Sequence, residues 1–337
     1  MAMVETVTGP IEASELGETL IHEHLMARDE AVLGQFPQMG TVREEPVAGV
    51  TAAEAEDVAA EFMAAAVERG VKTVVEPSCM YLGRDVKLMK RVSEKTGVQI
   101  VPCTGIYTYE HLPTPLVTRD ADQIADLFVH DIEKGIQGTD IKAAFLKCAA
   151  DEPGVTENVE KVHRAVARAS LRTGAPIMAH SRPASDTAPR QIEIFTEEGV
   201  DLSKVQIAHC GDSPDADYIE SLIEKGVWAG LDRYGIEMYL PFDQRIAAHL
   251  ALLERGYADR IFVSADSCAT IDWFSPEAVE QMAGAGLVDD WTIKIVHDKV
   301  LPALREGGMT DEQEQTMLHE NPVRWLTGGK QEGSDPS

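Results

Sequence analysis

Eight short runs of β-branched and apolar residues recur along the chain, each followed by a polar turn and a stretch with helical periodicity. The runs are 19–21, 72–76, 99–103, 144–147, 176–179, 205–208, 227–231 and 261–264. Near-continuous apolar runs fit strands buried on both faces, as in a parallel sheet covered by helices. Helical stretches lie between them at 52–69, 122–134, 155–173, 188–198, 216–225 and 244–255. Gly70, Gly97, Gly174, Gly199, Gly226 and Gly256 each follow a helical pattern and precede a run, which is the C-cap position of an αβ loop. Eight such units joined by right-handed crossovers predict an α/β fold, a (β/α)8 TIM barrel. The competing arrangement is a doubly wound open sheet, but no G-x-G-x-x-G follows an early strand. A length of 337 residues would also suit two domains of about 150 residues. The regular alternation instead predicts one barrel over 1–327, closed by helices at 290–306 and 310–320, with a disordered tail at 328–337.

Composition narrows the partners. Thirty Lys and Arg stand against 57 Asp and Glu, a formal charge of −27, so the chain has no basic surface with which to displace counterions from nucleic acid or an anionic membrane. No window approaches the roughly 18 uncharged apolar residues of a spanning helix. Residues 1–7 lack the basic and apolar regions of a secretion signal, so a cytoplasmic location is expected. The five cysteines, Cys79, Cys103, Cys148, Cys210 and Cys268, are widely spaced without a CxxC pair, which argues for small buried hydrophobes over a disulfide framework or thiolate zinc site.

Barrel active sites are assembled from the C-terminal ends of the strands. Strand one ends in His22-Glu23-His24, strand four in Lys147, strand five in His180, strand six in His209 and strand eight in Asp266. Residues two apart in an extended chain point to one side, so His22 and His24 can present two imidazoles to a single ion. The other histidines fall elsewhere: His130, His163, His249, His297 and His319 in helical stretches and His111 in a loop. Each residue has an ordinary structural reading when taken alone. An H-x-H is a weak signal, a lone histidine is more often hydrogen-bonded core, Lys147 can pair with Asp151 or Glu152, and Asp266 can cap a turn. One binuclear metal site accounts for all five strand ends together.

The combined motifs resemble the phosphotriesterase family of the amidohydrolase superfamily, and most of all its lactonase branch. The resemblance runs from Gly9-Pro10-Ile11 through His22-Glu23-His24, Gly105-Ile106-Tyr107-Thr108-Tyr109 and Phe145-Leu146-Lys147-Cys148-Ala149. It continues through Ala179-His180-Ser181, His209-Cys210-Gly211-Asp212, Gly230-Leu231-Asp232-Arg233-Tyr234-Gly235, Ser264-Ala265-Asp266 and Glu320-Asn321-Pro322. The similarity implies that His22, His24 and Asp266 hold a buried ion and His180 and His209 a more exposed one. Lys147, as a carboxylated lysine, would bridge the two. It further implies two divalent ions, zinc first and cobalt, manganese or iron as alternatives, and attack by a metal-bridging hydroxide with Asp266 as proton acceptor.

By the same resemblance, Tyr107 and Arg233 touch the substrate, and Tyr109, Cys268 and Trp273 line its pocket. The ordinary readings are rim packing for Tyr107 and Trp273 and a pair with Asp232 for Arg233. The apolar stretch 274–287 after strand eight suits a mobile lid over an acyl chain. The expected activity is opening of lactone rings, N-acyl-homoserine lactones above all (quorum quenching), with promiscuous phosphotriesterase activity. The alternatives are a triesterase or carboxylesterase as the main activity and, more remotely, a non-catalytic metal-binding barrel. The expected partner is a small lactone or ester, and the expected assembly is a homodimer. The loop 26–50, with Phe36, Pro37, Glu44 and Glu45, is left as a candidate dimer contact.

Overall fold

Residues 2–29, 32, 35–36 and 52–328 are described by a computed structural model. Most of the 26–50 loop and the tail from 329 onward lie outside the described residues. An antiparallel hairpin, β1 (Met3–Thr6) and β2 (Gly9–Glu12), precedes the barrel. Each of the eight runs then forms a strand. β3 (Thr19–Leu20) is followed, after β4 (Glu23–Ala27), by β5 (Thr73–Glu76), β6 (Gln99–Gly105), β7 (Phe145–Ala149) and β8 (Ile177–His180). The series ends with β9 (Val205–Ala208), β10 (Trp228–Leu231) and β11 (Ile261–Val263). These pair in sequence from β3 through β5 to β11, every pair parallel.

The first strand is interrupted where a single one is expected. Ile21 and His22 leave the ladder, and the chain resumes as β4, which pairs in parallel with β12 (Ser267–Ile271), Ser267 opposite Glu23 and Cys268 opposite His24. The Asp266 N–H donates to His22 O at 3.0 Å, so the extensions of the first and last strands close the (β/α)8 barrel. Glu23 stitches this seam. Its buried carboxylate accepts from Ser264 Oγ (2.7 Å), Ala265 N (2.8 Å), Ser267 N (2.9 Å) and the Ser267 hydroxyl. Burial still pushes its pKa up to about 7.

The outer ring comprises α1 (Ala52–Val67), α2 (Val86–Thr96), α3 (Ala121–Glu133), α4 (Glu157–Thr173), α5 (Thr187–Glu197), α6 (Ala216–Ile223) and α7 (Phe242–Glu254). The six expected C-cap glycines all take left-handed φ, between 78° and 106°. An eighth helix, α8 (Pro276–Gly284), follows β12. The closing helix expected from 290 starts later, as a π turn Val296–Val300 running into Leu301–Glu306, because residue 291 turns inward. There the Trp291 indole donates to Asp266 O at 2.8 Å. The last helical stretch extends past 320 through Asn321–Leu326, which places Trp325 against Phe145 and Phe262 inside the barrel. No helix among the described residues is long and apolar enough to cross a membrane.

Gly105 marks the closest backbone approach in the barrel wall. A Cβ there would stand 1.9 Å from Lys147 O, at a φ of +145°. Gly105→Ala is therefore expected to destabilise the fold by about 3 kcal/mol or more in denaturant unfolding, since neither backbone can yield without breaking the β6–β7 ladder.

Acid sensitivity has an identifiable source in His163 on α4. Burial lowers its pKa from 6.5 to about 4 while the unfolded chain keeps the ordinary value. Its contribution is thus present above pH 6.5 and is lost as pH falls toward 4. The loss is about 2 kcal/mol by pH 5, to be read as the pH slope of unfolding free energy against His163→Gln.

Candidate metal centre

The recess at the C-terminal ends of the strands has a cavity volume of about 80 Å³. Its floor is His22, His24, His180, His209 and Asp266, and its walls include Tyr107, Tyr109, Arg233, Cys268, Trp273, Phe274, Met282 and Trp291. All but one of the residues expected at the site line it. Lys147 lies just beneath, fully buried on β7, with Nζ 3.4 Å from His22 Nε2.

Strand geometry aims these groups. His22 and His24 turn into the recess while Glu23, between them, turns to the seam, as a period of two requires. His209 and Asp266 stand just past their strands with φ of 67° and 50°, a left-handed conformation that non-glycine residues seldom hold without a structural reason.

The inner atoms converge. Asp266 Oδ1 lies 3.0 Å from His24 Nε2 and 3.3 Å from His22 Nε2, and His209 Nε2 lies 3.0 Å from His180 Nδ1. Each outer nitrogen has its own oxygen partner. His22 Nδ1 faces Asp232 Oδ2 (2.9 Å), His24 Nδ1 faces Ser78 Oγ (2.9 Å), His180 Nε2 faces Asp151 Oδ2 (2.7 Å) and His209 Nδ1 faces Asp232 Oδ1 (3.0 Å). A carboxylate only accepts, so the outer nitrogens of His22, His180 and His209 carry the protons and their inner nitrogens present bare lone pairs. The inner pairs of His180 and His209 therefore face each other at 3.0 Å, an arrangement that a cation between them relieves. Burial lowers the pKa of His22 and His180 to about 4 and holds that of His209 well below its ordinary value, which keeps all three neutral, the form that ligates metal.

His22, His24 and Asp266 form one group with ligand spacing. His22, His209 and Asp232 form a second, but there the Asp232 oxygens already accept the two Nδ1 protons and the His209 N–H at 2.8 Å. These are the outer contacts that orient metal-binding histidines.

Two of the ordinary structural readings do not hold. Arg233 does not pair with Asp232, which is turned to the imidazoles; its Nε donates to Asp266 Oδ2 at 2.8 Å and its Nη1 to Asp212 Oδ2 at 3.1 Å. Asp151 does not pair with Lys147; it accepts from His180 and, at 3.0 Å, from Arg182 Nη1. Sequence reading also passed over Asp232, Asp151 and Ser78 as supports. Asp232 directly follows β10, so the strand-end test that singled out Asp266 would have found it.

Tyr107 Oη lies 3.2 Å from His180 Nδ1 and 2.6 Å from Tyr109 Oη, and its ring meets Trp273 at 5.6 Å. Burial raises both phenol pKa values, so both remain protonated donors.

The fold and this cluster are those of a barrel hydrolase that acts on ester bonds. The chain belongs to the phosphotriesterase family, whose profile matches residues 2–326. It is 43% identical over 319 residues to an aryldialkylphosphatase of Saccharolobus solfataricus, covering 94% of this chain and 97% of that protein. It is 41% identical over 331 residues to a phosphotriesterase homology protein of Mycobacterium tuberculosis, covering 96% and 97%. The solved structure of the phosphotriesterase from Mycobacterium tuberculosis superposes with a TM-score of 0.88 at 39% identity, over 96% of this chain and 98% of that one.

Proposed function

We propose that residues 1–327 form one catalytic unit that opens lactone rings, N-acyl-homoserine lactones first, and hydrolyses phosphotriesters as a side activity. The observation that carries the metal-dependent part is the convergence of inner nitrogens whose outer partners are already satisfied. His22, His24 and Asp266 would hold one divalent ion, His180 and His209 a second, and Lys147 would bridge them as a carbamate. Burial lowers the Lys147 pKa and so favours the neutral amine that captures carbon dioxide. Nitrogen and oxygen donors with a carbamate suit zinc, and also cobalt, manganese or iron. When bound, the ions supply a nucleophile at neutral pH and polarise the carbonyl or phosphoryl oxygen.

The chain's own groups do the rest. Asp266 accepts the proton of the attacking water and returns it to the leaving oxygen. Arg233 Nε holds Asp266 Oδ2 in place. The Tyr107 hydroxyl, beside His180, is placed to donate to the substrate oxygen as negative charge develops on it. The apolar wall of Trp273, Phe274, Met282 and Trp291 suits an acyl chain, which favours lactones over compact triesters. The 43% identity to an aryldialkylphosphatase favours the second reading, a phosphotriesterase with lactonase side activity.

Proton release from homoserine lactones of increasing acyl length, set against paraoxon, separates the two. A higher kcat/KM on lactones, rising with acyl length and abolished reversibly by a chelator, is expected. No hydrolysis of any lactone would refute the favoured substrate.

A further inference from the structure

Asp232 is fully buried just past β10, and its two oxygens serve different histidines. Oδ2 accepts from His22 Nδ1 at 2.9 Å; Oδ1 accepts from His209 Nδ1 at 3.0 Å and from the His209 N–H at 2.8 Å. The carboxylate occupies the space that the absent side chain of Gly230 leaves, since a Cβ there would stand 2.5 Å from Oδ2. The other two imidazoles have separate supports, His24 from Ser78 Oγ at 2.9 Å and His180 from Asp151 Oδ2 at 2.7 Å. On the ligand assignment proposed above, His22 belongs to one ion and His209 to the other. One carboxylate therefore orients an imidazole in each half of the centre.

We propose that Asp232 is a positioning residue that couples the two ion sites, so that they fill and empty as a pair. An ion at His22 holds that ring and, through the shared carboxylate, steadies the orientation of His209, whose Nε2 is bare. The second ion then meets a ring already ordered, and the ordering cost falls once on the pair instead of once on each site. Coupling of this kind is reciprocal, so loss of either ion loosens the other. Ser78 and Asp151 each reach one imidazole and provide uncoupled comparisons.

The test starts from the zinc-loaded protein and removes metal with a competing chelator, while native mass spectrometry counts chains carrying zero, one and two ions. The wild-type chain should pass mainly between two ions and none. In Asp232→Asn both ions should weaken, each by about 10–100-fold, the range for loss of an outer hydrogen-bond partner, and the singly loaded form should become the main species at half removal. Asp151→Asn, which leaves Asp232 in place, should lower the overall affinity but keep the wild-type passage between two ions and none. Circular dichroism checks the fold; if Asp232→Asn does not fold, Asp232→Glu, which keeps the charge but displaces it, carries the same expectation. An Asp232 variant that keeps the wild-type distribution, or that loses one ion while the other holds its affinity, would overturn the coupling and leave the ligand assignment standing. Uptake of fewer than two ions by the wild-type chain would overturn the assignment and the coupling with it.

Discussion

Lys147→Ala should lower kcat/KM by about 10³-fold or more, at least the upper end of the roughly 10²–10³ that follows loss of one oxyanion donor. The position explains the size of the effect. Nζ sits fully buried beneath the recess, 3.4 Å from His22 Nε2, with no carboxylate paired to it as a salt bridge among the described residues. An unmodified ammonium there would oppose cations held by His22 and Asp266. A carbamate, as proposed above, would instead supply an anion with two oxygens. Alanine would remove that anion and leave a space the length of the lysine side chain. Short carboxylic acids such as propionate should enter that space and restore part of the activity and metal content. Full activity with full metal content in Lys147→Ala, and no response to propionate, would refute the bridging role.

Much of this centre can be read from the sequence because a parallel barrel converts a one-dimensional pattern into a place. Each apolar run ends at the same face, so His22, His24, Lys147, His180, His209 and Asp266 converge once the runs are recognised as strands. What the pattern does not carry is contact between strands distant in sequence. Asp232 reaches His22 across 210 positions, and Glu23 reaches Ser267 across 244. Those contacts depend on the register of closure and on the break after β3, neither of which has a periodicity. Arg233 illustrates the consequence. Its neighbour in sequence is Asp232, yet its partners are Asp212 and Asp266, because Asp232 is turned toward the two imidazoles. Helix ends were more legible than the closing segments, since a C-cap glycine is a local signal, whereas the late start at Val296 follows from the long-range bond of Trp291 to Asp266.

Asp266→Asn separates charge from shape at the same centre. Asparagine is nearly isosteric and tolerates the left-handed backbone at this position, φ 50°, and the backbone bonds to His22 O and from Trp291 remain available. The fold should therefore persist, with Tm little changed. Burial by itself would raise the Asp266 pKa, but His22, His209 and Arg233 outweigh it and hold the carboxyl well below the usual range. The group is thus ionised throughout the neutral range, as the proposed roles of ligand beside His22 and His24 and proton acceptor require. Asn can fill neither with full strength. Loss of general-base function alone costs about 10²–10⁴-fold. The variant should therefore fall by about 10³-fold or more in kcat and bind the His22–His24 ion more weakly. Arg233→Met gives the complementary result: it frees Oδ2 from its guanidinium partner without removing the base. The apparent pKa of the acid limb in the kcat/KM profile should rise, because the positive neighbour that lowers the pKa of Asp266, His180 and His209 is gone. An Asp266→Asn enzyme with near wild-type turnover would show that another group takes the proton, and no shift of the acid limb in Arg233→Met would show that Arg233 does not act through Asp266.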